Sequence, residues 1–458
     1  MRVTTADLWS PAPGRVLRWD VTASGAGQPA ALSLNQRNHL AVAQAGEASV
    51  WLAAAFDVDG PIDVTALERA FQGLVARHSS LQIGVVADVR AADGSGLAAR
   101  RYHPGDLRWL VREVAATTDE ATTRETMAAA LSEGCRPIGY AAFAPMAISR
   151  RDRSTVVLGM DHLHCDAFST TVVVDELSSL YHAFRSGDHH PALADSGCFV
   201  GSIARDAEEP VRVWHDDERL REWHAFAREQ DFTLPTFPLA LGVGPGERVA
   251  QASFVGPLVD AAVTEALSAV ARTTGASTYA VVLAALASAI RDLGGPERLA
   301  TLAPVQTRTG EGARGSIGWY TTTVPITVAA DTSRTGLAAA GEAVRRGVRL
   351  GAVPLDQVMA TLPEPLRPTR RDVFMVSWID YRHLPGATEA VARNAHHISA
   401  ATLADDVQLW ISRTEAGLAV RVRHPDTETA HEVVGMLLGV WRARLQTVAA
   451  ELVVTGLD

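Results

Sequence analysis

A short polar segment, Asp161-His162-Leu163-His164-Cys165-Asp166-Ala167, holds the densest group of reactive side chains in the sequence. An apolar stretch typical of a strand precedes it, and an amphipathic helical pattern follows it. Such a strand–turn–helix unit presents polar groups at a surface or cleft, where the N-terminus of the helix favours developing negative charge. A base that takes a proton from an attacking hydroxyl or amine has to titrate near neutral pH, as histidine does. The segment is therefore a candidate for general-base catalysis.

The same segment fits a second kind of chemistry. The spacing His162-x-His164-x-Asp166 matches the core of the His-x-His-x-Asp-His zinc motif of metallo-β-lactamase-type hydrolases. Where that motif has its last histidine this chain has Ala167, so the second metal would lose a ligand. The rest of the chain also lacks the pattern of that fold. We therefore expect no metal site.

The elements that position the segment are readable from hydrophobic periodicity. Apolar stretches at 145–149 and 155–160 predict a hairpin whose second strand leads into the segment. A helix is predicted over 168–184, and its buried stripe is Val172, Val173, Leu177, Leu180 and Phe184. Upstream, a strand over 50–58 is followed by a helix that Asp63 caps and that runs to about Ala76.

The pattern weakens between residues 187 and 247, where we expect a linker with one helix near 214–230, and then restarts. Strand patterns follow at 249–255, 299–305, 318–328, 373–379, 407–412 and 418–423, with helix patterns at 257–273, 277–293 and 334–350 and from 427 onward. We predict a mixed α/β (α+β) fold with an N-terminal lobe over 1–190, a linker with a helix over 191–247 and a C-terminal lobe over 248–458. A ligand site between the two lobes is the default for such an arrangement.

Composition restricts the partners and the compartment. All 42 basic residues are arginine, and 52 acidic residues outnumber them, which gives a net charge of −10. A phosphate-binding face needs a basic excess, so we do not expect nucleic acid as a partner. No run approaches the ~20 apolar residues of a membrane span, and the N-terminus lacks the pattern of a signal peptide. Cys135, Cys165 and Cys198 show no Cys-x-x-Cys spacing, which favours the reducing cytoplasm over a disulfide framework.

The spacing His162-x-x-x-Asp166 is accompanied by several further motifs. In chain order they are Trp9-Ser10-Pro11 to Trp19, Ser33-Leu34-Asn35-Gln36-Arg37 with His39, Arg77-His78-Ser79-Ser80-Leu81, Arg308, and Ile317-Gly318-Trp319-Tyr320-Thr321-Thr322-Thr323-Val324-Pro325. Together they resemble the condensation domains of nonribosomal peptide synthetases, with their His-His-x-x-x-Asp-Gly signature. The resemblance is closer still to the free-standing polyketide-associated acyltransferases, which have His-x-x-x-Asp. It spans nearly the whole chain.

The resemblance implies two lobes like those of chloramphenicol acetyltransferase, with His162 as the base in a tunnel between them. It implies that Asp166 is structural and pairs with Arg308, which would tie the turn to the other lobe. The residues that it places along the substrate tunnel are Gly318, Trp319, Tyr320 and Thr322.

The chain also departs from the family pattern. The first histidine of the signature is Asp161, its glycine is Ala167, and an asparagine of the later strand is Thr322. The family pattern assigns no role to His164. The pair His396-His397 is expected in a solvated loop.

The resemblance further implies an acyltransferase that forms an ester or amide in specialised-metabolite or lipid biosynthesis and binds no cofactor of its own. The donor would be a phosphopantetheine thioester on an acyl or peptidyl carrier protein or on coenzyme A, and the acceptor a small-molecule hydroxyl or amine. Carrier proteins are acidic like this chain, so an arginine-rich patch is needed, for which Arg150, Arg151 and Arg153 are candidates. The alternative is a non-catalytic docking domain that recruits a carrier protein, although such relatives usually lose the histidine kept here as His162.

Overall fold

A computed structural model describes residues 1–88, 95–209 and 211–454, whereas residues 89–94, 210 and 455–458 of the predicted lobes and linker lie outside the described residues. Helices and strands are mixed along the chain, as predicted. The strands are β1 (Arg2–Thr5), β2 (Arg15–Ala23), β3 (Gln28–Pro29), β4 (Trp51–Asp59), β5 (Ile83–Ala87), β6 (Leu97–Arg101), β7 (Leu107–Ala116), β8 (Phe143–Ser149), β9 (Arg153–Asp161), β10 (Val249–Asp260), β11 (Arg298–Gln306), β12 (Thr321–Ala329), β13 (Met375–Asp380), β14 (His396–Ser399), β15 (Leu403–Ala404), β16 (Gln408–Thr414) and β17 (Gly417–Pro425).

The helices vary from one turn to more than seven turns. They are α1 (Leu34–Gln44), α2 (Val64–Arg77), α3 (Glu120–Gly134), α4 (Ser169–Arg185), α5 (Phe199–Glu208), α6 (Glu218–Glu229), α7 (Ala261–Thr273), α8 (Thr278–Asp292), α9 (Gly310–Arg314), α10 (Arg334–Leu350), α11 (Leu355–Thr361), α12 (Ala387–Ala392) and α13 (Glu428–Val454). By length and composition, no single helix in the described part of the chain could cross a membrane; α7 and α8 pass such a test only as a pair, bent by 102°.

The chain divides into two compact units. Unit 1 comprises Met1–Pro210, Arg308–Thr321 and His383–Ala401, and unit 2 comprises Val211–Thr307, Thr322–Arg382 and Thr402–Asp458. These units differ from the contiguous lobes predicted from the sequence, because two segments of the predicted C-terminal lobe belong to unit 1. One of them contains β14, which pairs with β1 and β4. The other contains Arg308, which therefore lies in the same unit as Asp166 and not in the opposite one.

Unit 1 is built on a seven-stranded sheet in the order β1-β14-β4-β9-β8-β2-β7, with a separate three-stranded sheet β3-β6-β5. The predicted hairpin is confirmed as β8 and β9, which pair antiparallel. All eight residues that follow Arg153 in β9 are buried, as expected for a central strand covered on both faces. This strand ends at the polar segment.

Two predicted helices flank that sheet as expected. The carboxylate of Asp63 accepts a hydrogen bond from the backbone N–H of Ala66 at 3.0 Å and so caps α2. The predicted stripe of α4 is buried at its four leucine and valine positions, and Phe184 is half-buried. Because α4 begins eight residues after the end of β9, the polar side chains lie in and next to a short intervening turn.

Unit 2 contains the second seven-stranded sheet, in the order β12-β11-β13-β16-β17-β10-β15. Its core surrounds α8, in which every residue from Ala280 to Ile290 is buried. The strand predicted at 318–328 begins only at Thr321, in β12. A further difference is α5, which lies inside the stretch predicted as linker.

The polar turn after β9 is held by a buried ion pair between Asp166 and Arg308. Their side chains are only 3% and 2% exposed. One guanidinium nitrogen, Nη1, donates to Oδ2 at 2.5 Å, and the other, Nη2, donates to Oδ1 at 2.9 Å. Asp166 also accepts hydrogen bonds from the backbone N–H groups of Ser169 and Tyr320. A buried carboxylate is tolerated only when it is paired and hydrogen-bonded in this way.

The guanidinium of Arg308 also has further polar and aromatic contacts besides Asp166. Its Nη2 also donates to the carbonyls of Ser316 and Gly318. Its guanidinium carbon lies 4.3 Å from the ring centre of Phe168 and 4.5 Å from that of Tyr320. Residues 308–321 are therefore bound to the turn through both their side chains and their backbone, which explains why Gly318–Tyr320 precede β12 instead of extending it.

Removing one partner of this pair should destabilise the protein strongly. Arg308→Ala leaves a buried carboxylate without its cation, so we expect the free energy of unfolding to fall by roughly 3–5 kcal/mol in chemical denaturation. The double variant Asp166→Ala/Arg308→Ala should lose much less than the sum of the single losses, since it leaves no charge unpaired.

A surface pair provides the control. In unit 2, Nη2 of Arg444 lies 2.6 Å from Oδ2 of Asp292, but the two side chains are 38% and 26% exposed. Arg444→Ala should therefore cost less than ~1 kcal/mol. Additive losses in the double variant would show that Asp166 and Arg308 do not stabilise one another.

Candidate active site

The candidate site is the turn between β9 and α4. Its start is fixed by the sheet, because Asp161 is the last residue of β9 and pairs with Trp51 of β4. The next backbone N–H, that of His162, donates to the carbonyl of Val50 at 2.9 Å. Its end is fixed by the Asp166–Arg308 pair. His162 is therefore held between two anchored points of the backbone.

Asp161 is a buried hydrogen-bond acceptor at the base of the turn. Its Oδ1 accepts from Nε2 of His39 at 2.7 Å and from the backbone N–H of Leu163 at 2.8 Å. Its Oδ2 accepts from the hydroxyl of Ser49 at 2.8 Å. The carboxylate adjoining His162 in sequence is thus occupied by three other groups.

The imidazole of His162 stacks on an aromatic ring. Its centre lies 3.9 Å from that of Trp319, with 34° between the planes. The indole Nε1 of Trp319 donates to the hydroxyl of Thr321 at 2.9 Å, which fixes the indole. Of the two ring nitrogens of His162, only Nδ1 is buried without a hydrogen-bond partner on another described residue. Nε2 is therefore the nitrogen left for a proton of a substrate.

The environment of His162 favours the neutral imidazole. Burial lowers the pKa of His162 below its usual 6.5, and the electrostatic effect of the neighbouring His39 lowers it further. Its own backbone and the carboxylates of Asp161 and Asp166 act in the opposite direction. Only a neutral imidazole accepts a proton, so this arrangement suits a general base.

His164 occupies a different environment although it is only two residues away. It is buried, and its Nδ1 lies 2.8 Å from the carbonyl of Ser80, whose hydroxyl donates to the carbonyl of His164 at 2.6 Å. Burial lowers the pKa of His164 to about 4. The two histidines are therefore not equivalent, and the contacts of His164 are those of a structural residue.

The alternative zinc motif is not assembled. No group of three or more histidine, cysteine, aspartate or glutamate side chains in residues 1–88, 95–209 and 211–454 is arranged to hold a metal ion. Asp166 directs its oxygens to Arg308, and His164 directs Nδ1 to the backbone. Cys165 is also buried, and burial raises the pKa of its thiol well above the usual range, which disfavours the thiolate.

The remaining predicted site residues are divided between the units. Gly318, Trp319 and Tyr320 lie in unit 1, and Thr322 lies in unit 2. A Cβ atom on Gly318 would come within 2.5 Å of the ring of Phe199 and 2.8 Å of that of Tyr320, so a side chain there would displace a ring. Trp319 alone among the four stacks on His162.

Two residues of the site were not assigned a role from the sequence. Asp161 was noted only as a departure from the family signature, and His39 only as part of an upstream motif. Their pairing joins positions 122 residues apart. The sequence did contain a hint of this pairing. Asp161 replaces a histidine next to His162, and a carboxylate at that position needs a hydrogen-bond donor.

Other histidines and arginines are placed differently from the expectation. His397 is 2% exposed in β14, and its Nδ1 lies 3.1 Å from the hydroxyl of Thr170, so the prediction of a solvated loop at 396–397 is wrong. Asp57 lies 3.1 Å from Arg153 and 3.9 Å from Arg150, and it therefore neutralises part of the predicted arginine patch.

Comparisons with known proteins agree with the motifs. The family model of the condensation domain matches residues 28–391. Acyltransferase PapA3 of Mycobacterium tuberculosis is 24% identical over 480 residues, which cover 98% of this chain and 97% of that protein. Trehalose-2-sulfate acyltransferase PapA2 of Mycobacterium bovis is 26% identical over 462 residues, which cover 96% of each.

Solved structures show the same fold. The PapA2 acyl transferase superposes with a TM-score of 0.85 at 24% identity, covering 98% of this chain and 100% of that chain. A mutant of the starter condensation domain of rhizomide synthetase RzmA, in complex with C8-CoA, gives a TM-score of 0.67 at 16% identity, with 92% and 95% covered. The mixed fold, the ordered motifs and the family model agree, and the chain therefore belongs to the condensation-domain family and is an acyltransferase.

Proposed function

We propose that the chain transfers an acyl group from a phosphopantetheine thioester to a hydroxyl or amine and so forms an ester or an amide. The observation that carries the proposal is the imidazole of His162, which stacks on Trp319 in a turn braced by a buried ion pair and has a lowered pKa because it is buried. In this proposal His162 takes the proton of the acceptor while the acceptor oxygen or nitrogen attacks the thioester carbonyl. The carbon–sulfur bond then breaks, and the proton passes from His162 to the departing sulfur. No acyl-enzyme forms.

The relatives support both substrates of this reaction. A structural neighbour was solved with C8-CoA, an acyl thioester of the proposed donor class. A relative is named for acyl transfer to trehalose-2-sulfate, whose remaining reactive groups are hydroxyls. For this chain we propose an acyl or peptidyl carrier protein or coenzyme A as the donor, and a small molecule of specialised-metabolite or lipid biosynthesis as the acceptor, with no cofactor of the protein's own.

The proposal is tested by replacing the base. His162→Ala should lower kcat by ~10²–10⁴-fold in transfer from acyl-coenzyme A or an acylated carrier protein to a panel of alcohols and amines. Its melting temperature should stay close to that of the unchanged protein, since the ring makes no hydrogen bond to another described residue. Near-normal activity would exclude His162 as the base.

His164→Ala is the matched control. It removes a buried ring and its contact with Ser80, so it should lower the melting temperature, but the folded fraction should keep most of its activity. Equal losses of kcat at His162 and His164 would instead favour the zinc chemistry.

The pH profile provides a second test. Because burial and His39 lower the pKa of His162, the acid limb of kcat/KM should lie below pH 6.5. Activity should be retained above the pKa, where the imidazole is neutral, and lost as the pH falls through it. The His162→Ala variant shows whether the acid limb belongs to His162. An acid limb of kcat/KM that lies above pH 6.5 and disappears in this variant would contradict the lowered pKa of His162.

Chelation provides a third test. EDTA or 1,10-phenanthroline should leave the transfer rate unchanged, because Asp166 is bound to Arg308 and is not available as a metal ligand. Elemental analysis of the same sample completes the measurement. One metal per chain, removed together with activity, would overturn the proposed mechanism.

A further inference from the structure

A histidine that acts as a base needs a group that orients its ring. That group is often a carboxylate or carbonyl that binds the second ring nitrogen. Here Nδ1 of His162 has no such partner on another residue of the described part of the chain. The two nearest carboxylates in sequence are engaged elsewhere, Asp161 with His39, Ser49 and Leu163, and Asp166 with Arg308. The backbone of His162 itself acts on the imidazole, and the contribution of other residues to its orientation must come from another kind of contact.

The contact is aromatic. One face of His162 lies against Trp319, with 3.9 Å between ring centres. His39 in turn meets Trp319 edge-on, with 5.8 Å between centres and 78° between the planes, which is a favourable aromatic geometry. The His39 ring lies 6.4 Å from that of His162. The three rings therefore form one cluster, to which the capped helix α1 contributes His39.

Asp161 fixes the outer ring of this cluster. Oδ1 of Asp161 lies 2.7 Å from Nε2 of His39. The side chain of Asp161 is 0% exposed, and that of His39 is only 10% exposed. The imidazole of His39, with its centre 6.4 Å from that of the proposed base, therefore lies in a region of restricted solvent access.

We propose that His39, held by Asp161, is a positioning residue for His162. Its ring supports Trp319 and thereby the orientation of the base, and as a basic neighbour it disfavours protonation of His162. The inference rests on the proposed function for its catalytic consequence. It gives Asp161, the residue that departs from the family signature, a definite role next to the base.

The charges around His162 give the direction of the effect. Burial is the main cause of the lowered pKa of His162, His39 lowers it further, and Asp161 and Asp166 raise it. Arg308 is neutralised by Asp166 at contact distance. Replacement of His39 by a residue that cannot be protonated should therefore raise the pKa of His162, by up to about one pH unit for a partly screened interaction at this distance.

Two variants of His39 remove its ionisable group and differ in whether they keep an aromatic ring. His39→Gln removes the ionisable group and the aromatic ring but keeps an N–H donor for Asp161. His39→Phe removes the ionisable group and the donor but keeps a ring that can meet Trp319 edge-on. Both should raise the pKa of His162. His39→Gln should in addition lower kcat by about tenfold with little change in KM, and His39→Phe should lose clearly less.

The pKa of His162 is measured without substrate, by NMR titration of the imidazole C–H signals, with the signal assigned by its absence in His162→Ala. The acid limb of kcat/KM should move to higher pH by the same amount. His431→Phe is the control, because His431 and Asp426 form a pair of the same 2.7 Å length at the surface of unit 2. That variant should leave both quantities unchanged.

The outcomes are distinguishable. An unchanged pKa of His162 in both His39 variants would overturn the inference, and so would equal losses of kcat in the two. If one variant fails to fold, the pKa measured in the other decides. If the pKa of His162 rises while activity does not depend on His162, the electrostatic coupling stands and the proposed function fails.

Discussion

The ion pair between Asp166 and Arg308 is the interaction on which the site depends. Two opposite charges, each at most 3% exposed, persist in the interior only because each is satisfied by the other and by further hydrogen bonds. The partners lie 142 residues apart in the sequence. Because Arg308 and Trp319 belong to the same segment, residues 308–321, the ion pair also places Trp319 next to the turn after β9. The position of His162, the proposed base, and that of the ring on which it stacks therefore depend on the same ion pair.

The two carboxylates of the turn have different tasks, although both lie within four residues of His162. Asp166 anchors the backbone through Arg308, and Asp161 holds His39 and Ser49. Neither binds the imidazole. His162 is therefore buried without a hydrogen bond from either carboxylate, and burial makes protonation of its imidazole costly. A base in such a site is weaker than a carboxylate-bound histidine, but a larger fraction of it is ready to accept a proton near neutral pH.

Local patterns were sufficient for the elements next to the site. The helix α2, with its cap at Asp63, and the hairpin of β8 and β9 follow from residues close together in the sequence, because capping and continuous apolar runs are local properties. The apolar stripe of α4 was predicted for the same reason. The candidate base and its expected ion pair came from motifs that match a family in a fixed order, and the structure places Arg308 against Asp166 as that resemblance implies.

The sequence by itself determined the fold class, the order of most elements and the segment that carries the reactive side chains. Only the tertiary structure decided which residues meet. It placed residues 308–321 and 383–401 in unit 1, converted the expected start of a strand at Gly318 into an irregular segment, and buried His397 in a sheet. It also joined His39 to Asp161 across 122 residues. Hydrophobic periodicity records which face of an element is buried, whereas the partner on that face depends on how distant elements pack, and no local pattern specifies it.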